Sequence, residues 1–449
     1  MSSRRFSHTF GEMAALGIDL GTTSIKASLL RDGIQTNSWH VVHNATQEVV
    51  EGGRRVRGVQ SASVLLYTVS SLLDRICREE GRGLDDLRVV GLAGQQHGVV
   101  TWNRNKLAEG DMDNVSLLYT WEYDGVPAAF VDEMRSHSPD IYAGYGCLTL
   151  AWLTTKKLIP EGHDAAGTVA DLVGAWMTHS TALPMISTHN AASFGCYRIG
   201  SGWCGPATFP GSWQKFLPNI VAPGTIVGTT VGPLPPVTVL VPLGDLQATL
   251  FPILDENHSV FNLGTSSQLV SLLKDTANPP SGPSIRVDPY FGSDRIVMAA
   301  SLNGGNVVEV LIKKIVGWSD ELLDKQDEVD IGRILERVDQ WADEHEEPSV
   351  TVDPQLFGER GSMEKAGLSL AGIHHGTGVI EVIAACCSGL VRHQLSLLPL
   401  STPEVRLAGA ASASRFARAV ARQTRATVEC VEATAAHGAA LFAASTVAQ

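Results

Sequence analysis

The segment Gly17-Ile18-Asp19-Leu20-Gly21-Thr22-Thr23-Ser24-Ile25-Lys26-Ala27-Ser28-Leu29-Leu30 decides how the rest of the chain is read. Apolar residues alternate up to Asp19, small and hydroxyl-bearing residues follow, and alternation resumes at Ile25. This is the pattern of strand, tight turn, strand. Backbone N–H groups from Gly21 to Ser24, with the hydroxyls of Thr22, Thr23 and Ser24, can converge on an anion. One such hairpin is as readily an ordinary turn. The pattern recurs, however, at Phe261-Asn262-Leu263-Gly264-Thr265-Ser266-Ser267-Gln268-Leu269-Val270-Ser271-Leu272-Leu273, which aligns on the first copy without a gap. Leu20, Gly21, Thr22, Ser24, Ser28, Leu29 and Leu30 match Leu263, Gly264, Thr265, Ser267, Ser271, Leu272 and Leu273. Solenoid repeats have periods of about 20–50 residues. The spacing here is far longer and indicates two similar domains in tandem, each bringing one hairpin to a shared cleft. The copies differ where chemistry would make them differ. Asp19 offers a metal a hard anionic ligand, and Asn262 carries no charge. The first hairpin therefore reads as a grip for phosphate plus metal, and the second for phosphate alone.

A chain of 449 residues can bury two full cores. Its 44% hydrophobic and 18% charged content is ordinary for a globular protein. The net charge of −13 argues against nucleic acid or an anionic membrane as a main partner. No apolar run is long enough to span a bilayer. Met1 to Glu12 carries Arg4 and Arg5 without the apolar core of a signal peptide, and reads as a lead-in. The seven cysteines form no C-x-x-C pair, and Cys386 and Cys387 sit in an apolar, helix-like run. Reduced thiols in a cytoplasmic protein are the expectation, rather than a disulfide framework or a zinc site.

Further along, Val59 to Glu80 has helical apolar spacing and stops at Gly81. Val89 to Gly94 is a buried-strand pattern running into Gln95-Gln96-His97-Gly98, where open α/β sheets place ligand contacts. Leu117-Leu118-Tyr119-Thr120-Trp121-Glu122-Tyr123-Asp124 presents an aromatic face beside two acids, a combination that suits C–H surfaces and hydroxyls. Helical blocks follow from Gly146 and over Val169–Met177. In Met185–Gly195 the polar groups are His189 and Asn190, and Asn190 suits either a polyol contact or an Asx turn. Glycine and proline crowd the stretch from Gly200 to Pro242, which reads as loops and short strands. Val237 to Leu243 is an apolar strand ending at Gly244-Asp245-Leu246-Gln247-Ala248, so Asp245 either caps the next helix or faces a ligand. Met298 to Asn306 and Val405 to Ser414 both read strand, glycine turn, helix. Gly304 in the first of these, and Gly409, Ala410 and Ser414 in the second, let backbone approach a ligand at a helix N-terminus. Asp320 to Glu347 is acidic and reads as a solvated helical face.

The duplicated hairpin together with these stretches resembles the FGGY carbohydrate kinases of the actin–Hsp70–sugar kinase fold, from about Met13 to the end of the chain. The fold this implies is α/β, two tandem actin-like (ribonuclease H-like) domains with an interdomain cleft. They would cover residues 13–250 and 251–449, with the boundary between Thr249 and Glu256. The resemblance implies ATP and Mg²⁺ as cofactors and phosphorylation of a sugar's primary hydroxyl. Asp245 would be the catalytic base. Asp19 and Asp245 would serve the metal, and Lys26 the phosphate charge. Gly21, Thr22, Thr23, Ser24, Gly264, Thr265, Ser266, Gly304, Gly409, Ala410 and Ser414 would hold the nucleotide. Gln96, His97, Trp121, Asp124, Asn190 and Gln247 would hold the sugar, with Glu122 as the alternative to Asp124. The sequence departs from the family's Trp-x-Asp-x-Arg: Tyr123 stands inserted between the two acids, and Val126 replaces the Arg. Leu356 to Gly361 resembles the family's Gly-Glu-Arg turn, implying a Glu359–Arg360 pair that holds a loop. Glu432 to Leu441 resembles the C-terminal small-residue helix that packs beneath the adenosine site. Gly144 to Cys147, Asn190 to Ser193 and Gly244 to Ala248 resemble the branch that phosphorylates sedoheptulose, with xylulokinase-like or other ketose and polyol kinases as the alternative. The implied partners are small molecules, with a monomer or homodimer as the assembly. A non-catalytic ATP-dependent protein of the same superfold would not need Asp19, Asp245 and the Gln96-His97 pair together.

Overall fold

All seven residues of β1 (Ala14–Leu20) are buried, which places this strand inside a sheet covered on both faces. It pairs antiparallel with β2 (Ser24–Arg31), which pairs antiparallel with β3 (Ile34–Val42), and it runs parallel to β4 (Leu87–Gly94). Beyond β4 lie β6 (Thr238–Leu240), parallel to it, and β5 (Ile226–Thr229), antiparallel to β6; the short β7 (Leu243–Gly244) also pairs with β4. The apolar stretch Val237–Leu243 is therefore two short strands, interrupted at Val241-Pro242, where proline withholds a ladder N–H. The computed structural model that shows this describes residues 13–137, 141–204, 212–274, 278–282, 284–323, 330–357, 359, 367–400 and 402–448. The lead-in at residues 1–12, and Gly358, Arg360 and Gly361 of the Gly-Glu-Arg turn, lie outside them.

The second hairpin builds a sheet of the same plan. Here β8 (His258–Leu263) and β9 (Ser267–Leu272) are antiparallel, with β11 (Arg295–Ser301) on the outer side of β9 and β10 (Ile285–Pro289) beyond it. On the other side β12 (Glu404–Gly409) runs parallel to β8, and β13 (Thr427–Cys430) runs parallel to β12. Five strands thus correspond one to one, β3-β2-β1-β4-β6 with β11-β9-β8-β12-β13. The likeness seen in two short stretches of sequence extends to the whole ladder.

The gapless alignment fails beyond the turns. Leu20 pairs with Ile25, but Leu263 pairs with Ser267, so the second turn is one residue shorter. A one-residue slip puts the aligned side chains of β9 on the opposite face from those of β2. Ile25, Ala27 and Leu29 share a face with Leu20, whereas Ser267, Leu269 and Ser271 share one with Leu263.

The chain forms two compact units, one of Met1–Pro252 with Pro289–Gly292 and Thr434–Gln449, the other of Ile253–Asp288 with Ser293–Ala433. In the first, α1 (Ala62–Glu80) and α3 (Val169–Met177) pack on the sheet through Leu65, Leu66, Val69, Leu172 and Val173. Ser61 accepts from Val64 N and caps α1, so Val59–Ser61 forms a short strand where helix was expected. A separate core gathers α2 (Gly146–Thr155), α4 (Thr188–Phe194), Tyr119, Tyr123 and Trp213. The short α5 (Asp245–Leu250) leads out of β7. In the second unit α6 (Gly305–Leu323), α7 (Ile331–Glu344), α8 (Val379–Leu397) and α9 (Ser414–Thr424) supply the core with β8, β9 and β12. The closing helix α10 (Ala435–Val447) corrects an expectation. Expected within the second domain, it groups with the first unit, on β1, β4 and α5, with Ala439, Ala443 and Ala444 against Ala15, Val89, Ala93 and Leu243. Its small residues allow that close approach to a sheet face. All seven cysteines are free thiols, and among the described residues no helix is long and apolar enough to cross a membrane.

Candidate active site

In the first unit the hairpin turn is closed by Gly21 N donating to Ser24 O (3.0 Å). Among the described residues the amides of Thr22 and Thr23 meet no acceptor. Two neighbouring free amides in a tight turn form an anion-binding concavity. The turn is held from behind: His43 Nε2 donates to Gly21 O (3.1 Å), Gln60 Nε2 to Thr22 O (2.7 Å), and Trp121 Nε1 to Thr22 Oγ1 (3.3 Å). The second unit repeats the arrangement. Gly264 N donates to Ser266 O (2.9 Å), and the amides of Thr265 and Ser266 are likewise unmatched among the described residues.

Asp19, last but one in β1, is buried, and among the described residues its Oδ1 has no hydrogen-bond partner. Burial raises its pKa to about 6 despite the Lys26 charge across the strand pair, Lys26 being its register partner. Asp245 opens α5, so Gly244 takes the cap position and the side chain is free for other work. Its Oδ1 accepts from Leu246 N (2.7 Å). Burial first, and then the Asp19 charge, raise its pKa to about 7. Two carboxylates close enough that the Asp19 charge raises Asp245, one of them with an oxygen unpartnered among the described residues, are a donor set fit for a divalent cation.

Beside Asp245 lies a network of buried amides. Gln96 Nε2 donates to Gln247 Oε1 (2.6 Å), and Ser193 Oγ donates to Gln96 Oε1 (2.9 Å). A Cβ at Gly244 would stand 1.6 Å from Gln96 Nε2, so only glycine leaves room for this pairing. Asn190 Nδ2 donates to Pro242 O (3.2 Å), which ties α4 to the strand end, and among the described residues its Oδ1 accepts no backbone N–H as an Asx turn would require. His97, held at φ 73, donates from Nδ1 to Ser193 O (2.7 Å) and stacks on Tyr145 at 4.7 Å. A non-glycine residue at positive φ is strained and clusters at ligand sites. Asn190 Oδ1, Gln247 Nε2 and Gln95 Oε1 are buried with no partner among the described residues. Unmatched buried donors and acceptors at the end of one sheet cost about 1–3 kcal/mol each unless a polar ligand meets them.

Structure and expectation part company at the two acids. Asp124 accepts from Arg57 N (2.9 Å) and Arg57 Nε (3.0 Å) and pairs with Arg54 (3.1 Å). Burial raises its pKa, but the Arg57 hydrogen bonds and both guanidinium charges outweigh that and leave it lowered. Glu122 is exposed, and neither acid joins the amide network. The inserted Tyr123 explains the shift: its ring is buried against Tyr119 and its hydroxyl donates to Glu51 (2.8 Å). The cations that face Asp124 are Arg54 and Arg57, and Val126 supplies none.

In the second unit a cavity of about 260 Å³ opens beside the hairpin, with Gly264, Thr265, Gly305 and Ala410 on its small-residue side. Val308, Ile331, Leu335 and Phe416 make it apolar, and Arg415, paired with Asp339 (2.5 Å), makes one charged edge. Gly304, Gly409, Ser266 and Ser414 flank this cavity in sequence and do not line it. Arg415 and Phe416 were missed by sequence reading; their one signal was adjacency to Ser414 at the start of α9. Ser193, also missed, lies one helical turn beyond Asn190. Glu359 is a buried hub, accepting from His393 Nε2 (2.7 Å), Asn303 Nδ2 (3.1 Å) and Ser284 Oγ (3.2 Å). Its loop is therefore held by a histidine of α8 as well as by polar groups next to the β11 end.

No protein-family model matches the chain. It is 31% identical over 432 residues to a mouse sedoheptulokinase, covering 86% of this chain and 85% of the relative, and 31% identical over 430 residues to the human one, covering 86% of each. Solved structures share the fold. A xylulose kinase from Rhodospirillum rubrum matches with TM-score 0.75 at 14% identity, covering 97% of this chain and 89% of that one. A glycerol kinase from Plasmodium falciparum, solved with ADP, matches with TM-score 0.76 at 15% identity, covering 97% and 90%. With the paired hairpins, the acids Asp19 and Asp245 and an identity of this extent, the chain belongs to the sedoheptulokinase family of FGGY-type carbohydrate kinases.

Proposed function

We propose that this chain transfers the γ-phosphoryl group of ATP to the terminal primary hydroxyl of sedoheptulose. The observation that carries the reading is Asp245, half-buried, raised to about 7 and set beside an amide network with unmatched buried groups. Phosphoryl transfer asks little covalent chemistry of a protein and much positioning. Oδ1 of Asp245 is engaged by Leu246 N–H, which leaves Oδ2 to take the hydroxyl proton. A base whose pKa lies near neutral is matched to that task. Asn190 Oδ1 and Gln95 Oε1 would accept from sugar hydroxyls, and Gln247 Nε2 would donate to a hydroxyl or carbonyl oxygen. Trp121, 42% exposed, offers a face to the sugar's C–H surface. The free amides of the two turns suit phosphate oxygens, and the apolar cavity beside the second suits a nucleoside. A divalent cation held by Asp19 and Asp245 would neutralise phosphate charge. The unpaired thiols accord with a reducing, cytoplasmic setting.

A sugar panel tests this. ADP release should require added sugar, and kcat/KM should be highest for sedoheptulose, with the phosphate at C7 by phosphorus NMR. Each hydroxyl left unmatched costs roughly tenfold to hundredfold. A preference for xylulose, ribulose or glycerol would overturn the substrate and leave the kinase reading intact. ADP release without sugar would overturn both.

A further inference from the structure

Among the described helices of the second unit, α6 exposes the most large apolar surface on its outer face. Its N-terminal half is seated on the core through Val307, Val308, Leu311 and Ile312, but its C-terminal turns leave Trp318 57% and Leu322 84% exposed. On the same side a groove of about 480 Å³ runs along Val310, Lys313, Lys314, Gly317, Trp318 and Glu321. The charges along that seam are ordered, with lysines toward the N-terminal end and Glu321 toward the C-terminal end. Among the described residues Lys314 and Glu321 make no ion pair. Standing two turns apart, about 10 Å along the axis, they cannot reach each other within one helix.

We propose that this face of α6 is a homodimer interface, in which two copies of the chain pack their α6 helices antiparallel about a two-fold axis at the Gly317–Trp318 step. Lys313 is already paired with Glu309 (2.6 Å), and the symmetry uses Lys314, Gly317, Trp318 and Glu321. Lys314 of each copy falls opposite Glu321 of the other, so two ion pairs form that a single copy cannot make. The two Trp318 rings meet at the axis, where an aromatic anchor contributes most. Gly317 has nothing within 4 Å of where a Cβ would stand, so the second backbone can approach closely there. An isologous contact requires a patch complementary to itself, and a lysine-to-glutamate gradient about a central glycine and tryptophan is one. A parallel pair would set like charges against each other.

Sedimentation velocity of the full chain up to about 50 µM should give twice the chain mass. Lys314→Glu and Glu321→Lys should each weaken association at least about tenfold, because each makes both pairs repulsive. Mixed one to one, the two variants should associate again, since every pair between them is of opposite sign. Trp318→Ala should weaken the dimer about a hundredfold. Sugar-dependent ADP release per chain should be unchanged in all three variants, which shows that they fold. A wild-type chain of single mass at that concentration overturns the proposal and assigns the face to another occupant. So does a dimer indifferent to both charge reversals, or a mixture of the two variants that stays monomeric.

Discussion

The hairpins at Gly21 and Gly264 are the same device with different contents. Each is a tight turn with two amides unmatched among the described residues, set between an inner strand and an outer one. At the position before the final leucine the first has Asp19, buried and raised to about 6, and the second has Asn262. The parallel strand beside each hairpin ends in glycine, Gly94 or Gly409. After Gly94 come Gln95, Gln96 and His97, which build a polar network; after Gly409 come Ala410 and Ala411, beside an apolar cavity. One frame has therefore been furnished once for charge and hydroxyls and once for a flat apolar group. Side chains at strand ends can be exchanged without disturbing the ladder, because the ladder is held by backbone.

The sharpest way to break this division is at Asp245. Asp245→Asn should lower kcat by about 10²–10⁴ while ATP still binds, since the amide keeps the shape and cannot take a proton. In the wild type kcat/KM should fall below about pH 7 as Asp245 protonates. Turnover near normal in the variant would move the base elsewhere.

The hairpins themselves come next. Asp19→Ala should cost on the order of 10²-fold in turnover and raise the Mg²⁺ concentration required. Asn262→Ala should cost no more than about tenfold, with unchanged metal dependence. Equal losses across a Mg²⁺ titration would erase the distinction between the two grips.

Glu359→Ala should destabilise the second unit by about 1–3 kcal/mol, because the hydrogen-bonding groups of His393, Asn303 and Ser284 lose their acceptor. Urea unfolding would show it as a lowered midpoint. A midpoint unchanged within error would mean that the hub is not structural.

The smallest effect concerns pH. Asp245 has a folded pKa of about 7 against an ordinary 3.8, so between those values the folded chain holds a proton that the unfolded chain has lost. Stability should then fall as pH rises from about 4 to about 7 and stay reduced above. Asp245→Asn should remove that decline and raise Tm by a few degrees at pH 8, on the order of 1 kcal/mol. A Tm lowered at pH 8 would mean that the carboxylate stabilises the fold.

Much of this was legible in the amino-acid sequence. Strand-turn-strand alternation is local, so both hairpins and the duplication could be read directly, as could the polar run at Gln95-Gln96-His97 and the acid after Gly244. The sequence could not place what depends on distance across the fold. The slip of one residue between the two ladders depends on turn length, which a gapless match conceals. Asp124 looked like a sugar ligand until Arg54 and Arg57, some seventy residues earlier, were seen to claim it. The small residues of α10 announced close packing but not the partner, because an alanine face fits any sheet. Adjacency to Ser414 was the one local signal for Arg415 and Phe416, and it could not reveal a cavity whose other walls come from α6, α7 and the second hairpin. Local pattern determined the elements and the chemistry they carry. Which elements meet, and which charges are already spoken for, only the packed chain decided, because burial and pairing are properties of neighbours far apart in sequence.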